Sequence, residues 1–156
     1  MNLKTTLHSF ILVIPFVFSS CEAFIGKEIA KVSIDEISSE NDLYIKEMSV
    51  ELEQYDELHF WSEMDLEYTG DVMIRFMVNM YVNGELDEEF SIDPFDKDLT
   101  INEVKTDVMN EVKWKFSGRN LILNAQQDGT YSFKVYLATS DNETLKINKA
   151  DLVLRK

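Results

Sequence analysis

The sequence predicts an all-β fold: an antiparallel sandwich of about eight strands behind an N-terminal export signal. Three observations carry this. From Ile29 onward apolar side chains recur every second residue, turn residues punctuate the chain at regular spacing, and no helix of normal length shows an apolar stripe of period 3.6. The composition agrees. A chain of 156 residues holds one domain, 45% apolar with 28% charged residues is a globular balance, and 5 Gly with 2 Pro exclude collagen-like and Pro-rich architectures.

The N-terminal segment has a short basic start ending at Lys4, then the apolar run Phe10 to Phe18, then Ser19-Ser20-Cys21. The run is too short to cross a bilayer core, which needs about 20 residues as a helix. It has the length of a secretory h-region, followed by small residues where cleavage occurs. The only cysteine of the chain stands immediately after them. Phe18-Ser19-Ser20-Cys21 resembles the lipobox of a bacterial lipoprotein, of the looser kind found in Bacteroidota, with Phe18 in place of the usual aliphatic residue. The resemblance implies cleavage before Cys21, lipidation of its thiol and amine, and a membrane partner held through that lipid. Several acyl chains on one residue give stable anchoring, whereas a single chain holds only marginally. A signal at 1–20, an anchor and tether at 21–27 and a sandwich at 28–156 follow. With Cys21 lipidated no thiol remains for a disulfide, so the core alone must hold the fold, and a domain of this size buries roughly two-thirds of its unfolded surface.

Ile29–Ile37 and Leu43–Leu52 read as the first strands. Leu58 to Tyr68 and Val72 to Val82 alternate most cleanly, with His59, Trp61, Glu63, Met77 and Tyr81 on the off-beat. A three-residue loop Tyr68-Thr69-Gly70 would set Met64 opposite Ile74, Phe60 opposite Val78, and Glu63 across from Arg75. A loop of the same form at Val82-Asn83-Gly84 would pair Met80 with Leu86, Phe76 with Phe90 and Ile74 with Ile92. The expected product is a three-stranded meander from Leu58 to Ile92. Asp93 to Asp98 is a loop, because Pro94 breaks the ladder and carboxylates solvate the segment. Thr100 to Asn110 is ambiguous. Val108 to Phe116 is a strand, Ser117-Gly118-Arg119-Asn120 a turn, and Leu121 to Leu123 the next strand. Tyr131, Phe133, Val135 and Leu137 alternate again. In the last strand the apolar phase changes between Ile147 and Ala150, which predicts a bulge.

Gln127-Asp128-Gly129-Thr130-Tyr131 resembles the entry to strand F of immunoglobulin-like domains, where a glycine two residues before a tyrosine forms the tyrosine corner. Phe133 stands where antibody domains carry a cysteine, so the resemblance implies an immunoglobulin-like β-sandwich without its disulfide. A jelly roll or carbohydrate-module-like sandwich is the alternative.

The chemistry is sparse. The formal net charge is −14, which repels phosphate backbones and argues against nucleic acid as a partner. Past the signal, His59 is the only histidine, too few for a Cys/His metal centre, and a Ser-His-Asp triad would rest on it alone. No two glycines have the spacing of a phosphate loop. No cofactor and no catalytic residue are expected. Two features suit binding. The acidic run Glu85, Asp87, Glu88 and Glu89, followed by Asp93, Asp96 and Asp98, offers hard oxygens to calcium, though without the spacing of an EF-hand, and reads more simply as a solvated edge strand and loop whose charges deter edge pairing. The off-beat face of the meander brings His59, Trp61, Met77 and Tyr81 together as a candidate surface for a glycan or peptide. The expected function is therefore a lipid-anchored cell-envelope protein, outer-membrane-anchored and facing the periplasm or the exterior, acting as a non-enzymatic binding or assembly module on a protein or glycan partner. A toxin-neutralising or inhibitory lipoprotein and a glycan-binding surface protein are the alternatives.

Overall fold

The computed structural model describes residues 25–34, 36–39 and 42–156, so the signal and the lipidation site at Cys21 lie outside the described residues. Among the described residues nine strands form: β1 Glu28–Ser33, β2 Lys46–Leu52, β3 Glu57–Thr69, β4 Ile74–Val82, β5 Glu85–Ile92, β6 Leu99–Val108, β7 Glu111–Asn124, β8 Gly129–Thr139 and β9 Lys146–Arg155. All neighbours are antiparallel, in a five-stranded sheet ordered β1-β9-β3-β7-β6 and a four-stranded sheet ordered β2-β8-β4-β5. Alternate residues of both sheets meet in one core, where Phe60 of β3 lies edge-on to Phe133 of β8 at 5.3 Å and to Phe90 of β5 at 5.8 Å. Such T-shaped pairs add about 0.5–1.5 kcal/mol beyond area burial.

The sandwich and its tyrosine corner are present. The Tyr131 hydroxyl donates to the Gln127 carbonyl at 3.0 Å, and the Gln127 N–H donates back to it at 3.4 Å. Strand order departs from the immunoglobulin one, in which the strand after the tyrosine corner stays in the same sheet. Here β9 crosses to the other sheet. The interleaved orders 1-9-3-7 and 2-8-4-5, with β6 added at one edge, are those of a jelly roll.

The meander is corrected. β3 is hydrogen-bonded on one side to β7 and on the other to β9, so it has no free edge for β4, which pairs with β5 and β8 instead. Gly70 does take positive φ, +74°, yet the turn it makes carries the chain from one sheet to the other. The apolar faces of β3 and β4 still meet, across the core rather than along a ladder. Glu63 accordingly pairs with Lys149 and Arg155, and Arg75 with Asp93.

The second turn is a two-residue Asn83-Gly84 turn, both residues at positive φ (+52° and +88°), the form that matches strand twist. The one-residue slip this introduces is restored by an extra residue at Asp87, between the pairs Tyr81↔Leu86 and Met80↔Glu88. Phe76 therefore faces Ile92 and Val78 faces Phe90, two residues from the expected register and on the same core side.

β7 runs unbroken through Ser117-Gly118-Arg119-Asn120, and Thr100–Val108 is strand. Asn120 is the extra residue of a bulge against Phe60 and Trp61. Its side chain fastens the β5–β6 loop, donating to the carbonyls of Asp93 (3.0 Å) and Asp96 (2.8 Å) and accepting from Ser62 N–H (3.0 Å). The bulge expected near the end of the chain is present, at Asn148 between Leu66↔Ile147 and Asp65↔Lys149.

Candidate functional site

The outer faces of the two sheets differ in kind. On the five-stranded sheet the off-beat residues of β3 are a row of carboxylates, Glu63, Asp65 and Glu67. Lysines from both neighbouring strands answer them: Lys149 to Glu63 at 2.5 Å, Lys115 to Asp65 at 3.6 Å and Lys113 to Glu67 at 3.2 Å. The hydrogen bond from Lys113 holds the Glu67 carboxyl below its usual range, and the same contact raises Lys113. This face is internally neutralised.

The outer face of the four-stranded sheet carries Met77, Asn79 and Tyr81 from β4, Lys134 and Tyr136 from β8, and Glu89 and Ser91 from β5. Register sets them in transverse rows. Ser91, Met77 and Tyr136 form one; Glu89, Asn79, Lys134 and Glu47 the next. Leu43 and Ile45, about half exposed, rise beside the floor as a wall. A hollow of about 600 Å³ lies over this surface. A second, of about 740 Å³, shares Leu43 and Tyr136 with it and continues past Ala138 to Asp141. The two make a groove running along β8.

Inside the groove, Asn79 Nδ2 donates to Glu89 Oε1 at 3.0 Å, and Lys134 Nζ stands 4.8 Å from the centre of the Tyr81 ring. A groove with two half-buried tyrosines, a methionine and a few amide, hydroxyl and charged groups offers apolar contact with a small number of directional hydrogen bonds, the usual make-up of a ligand cleft.

The four residues expected to form one surface divide between the two sheets. Met77 and Tyr81 lie in the groove. His59 and Trp61 lie on β3, in the other sheet, because β3 and β4 do not pair. Trp61 is 0% exposed, with the Arg155 guanidinium 5.5 Å from its ring centre, and offers no open stacking face. His59 sits with Nε2 at 3.6 Å from Glu57. Tyr136, Lys134, Leu43 and Ile45 were missed in the sequence. The alternation around Phe133 and Val135 does put Lys134 and Tyr136 outward, but their meeting with Met77 depends on the β4–β8 pairing.

Two carboxylates of the acidic loop, those of Asp93 and Asp98, are spent internally. Asp93 accepts from Phe95 N–H at 2.9 Å and pairs with Arg75 at 3.4 Å, and Asp98 takes both Arg119 bonds at 2.9 Å. The Arg119 guanidinium holds the Asp98 carboxyl below its usual value. Among the described residues no group of three His, Cys, Asp or Glu side chains is placed to hold a metal ion, and no helix is long and apolar enough to cross a membrane. Compared with known proteins, the chain matches no family model and no curated protein.

Proposed function

We propose that the protein is a lipid-anchored component of the cell envelope that acts as a non-enzymatic binding or assembly module, with the groove of the four-stranded sheet as its binding site. The observation that carries this is the contrast between the two outer faces. One answers its row of carboxylates with its own lysines around a smaller, charge-lined hollow of about 380 Å³, and the other leaves Met77, Tyr81 and Tyr136 in an open groove walled by Leu43 and Ile45. Large apolar side chains set together on an outer face call for a partner. Lipid on Cys21 would tether the domain at the membrane and present that groove to it.

Anchoring and binding are tested separately. Cys21→Ala should abolish palmitate incorporation and release the protein from membranes; continued labelling refutes the anchor. Tyrosine nitration then reads the groove. Tyr55, 78% exposed, serves as the internal reference. Tyr81 and Tyr136 should be protected relative to Tyr55 in native membranes and react in the purified protein. Equal reactivity in both settings refutes the groove as the binding site.

A further inference from the structure

We infer that the occupant of this groove is an extended, basic segment of a partner protein, an inference that rests on the groove being the binding site. The floor is apolar and aromatic, but its borders are acidic. On the β5 side stands Glu89, along the β2 edge Glu47, and at the far end Asp141, all exposed. Among the described residues that line it Lys134 is the one cation, and its ammonium rests against Tyr81. An apolar floor inside a charged rim is the anatomy of a protein interface, and a rim of one sign selects and steers partners of the other. The chain's net charge of −14 acts in the same direction at longer range.

Geometry favours an extended occupant. The groove follows β8 from beside Ser132 to Thr139, about 23 Å at the rise of a strand, which an extended segment of about seven residues fills. Side chains of such a segment alternate, so apolar residues meet Met77, Tyr81 and Tyr136 while Lys or Arg reach the carboxylates of the rim. The tyrosine faces accept cations as well, as Lys134 on Tyr81 shows. A neutral glycan would leave the rim unanswered, and an acidic one would be repelled by it.

The test pans a random decapeptide display library against the full chain in detergent micelles. Enriched peptides should alternate apolar residues with Lys or Arg and lack Asp and Glu. Their affinity should fall at least about tenfold in Tyr136→Ser and in Glu89→Lys, and should weaken as sodium chloride rises. Unchanged thermal midpoints in both variants establish that the fold is intact. No enrichment, enrichment of neutral or acidic peptides, or basic peptides that bind Tyr136→Ser as well as the parent would overturn the inference. An array of neutral linear oligosaccharides is probed in parallel. Binding there that Tyr136→Ser abolishes would overturn the basic segment while leaving the groove as a binding site. Binding of either class that ignores Tyr136 removes both.

Discussion

Gly129 is empty where Asn83 is full. A Cβ on Gly129 would lie 2.3 Å from Asn83 Oδ1, the atom that accepts the Thr130 N–H at 3.0 Å. Asn83 also donates its backbone N–H to the Thr130 carbonyl at 2.9 Å. The turn between β4 and β5 is thereby locked to the start of β8, next to the tyrosine corner and at one end of the groove strands.

Gly129→Ala should cost about 1–3 kcal/mol, because the methyl group must displace a side chain that is already hydrogen-bonded. Asn83→Gly in the same background should recover part of the loss, since it empties the contested space and still permits positive φ. Denaturant midpoints of the two single variants and the double variant check this; strictly additive losses contradict it.

Phe76 and Met77 are adjacent and face opposite ways. Phe76 is 0% exposed in the core, whereas Met77 lies in the groove. Phe76→Asp should unfold the domain, since an unpaired buried carboxylate costs several kcal/mol. Met77→Asp should leave the thermal midpoint nearly unchanged and reduce ligand binding. Circular dichroism melts of both decide it.

Asn120 holds the β5–β6 loop through three hydrogen bonds. Asn120→Ala strands the two carbonyls and one N–H that it serves and should cost about 1–3 kcal/mol. Hydrogen exchange should accelerate over residues 93–98 while β4 and β8 stay protected. Uniform acceleration would mean that Asn120 supports the whole sandwich rather than the loop.

Four carboxyls are held below their usual values by hydrogen bonds from cations: Asp98 by Arg119, Glu67 by Lys113, Glu103 by Lys97 and Asp56 by Lys156. Each therefore binds its proton more readily in the unfolded chain. Their contribution is fully present above the unfolded carboxylate range, about pH 4, and disappears as pH falls through the lowered folded values. The urea midpoint should be level from neutral pH to about 5.5 and drop below about 4. A midpoint that rises on acidification would show that relief of the net negative charge outweighs these pairs.

Much of this fold is legible locally. Alternation alone marks β3, β4 and β8, and the phase change after Ile147 marks the bulge at Asn148, because both signals lie within a single segment. Pairing is not local. The alternation of β3 is equally compatible with β4, β7 or β9 as neighbour, so the assignment of His59 and Trp61 to the face of Met77 failed with the hairpin that was to join them. Ser117-Gly118-Arg119-Asn120 carries the residue types of a turn for other reasons. Gly118 clears the way for the Lys97 stem, whose Cδ would lie 2.3 Å from a Cβ there. Arg119 is there for Asp98 and Asn120 for the loop carbonyls. The groove itself needs β2, β4, β5 and β8 side by side, an order that no single segment encodes.

The central claim is that the outer face of the four-stranded sheet, and not that of the five-stranded one, meets the ligand. Site-specific photocrosslinking in intact cells tests it most directly, with a photoreactive side chain placed at Tyr136 in the groove or at Lys115 among the ion pairs of the other face. The account predicts a discrete adduct from position 136 that Met77→Asp suppresses, and none from position 115. Adducts from 115 alone, or the same adducts from both positions, would contradict it.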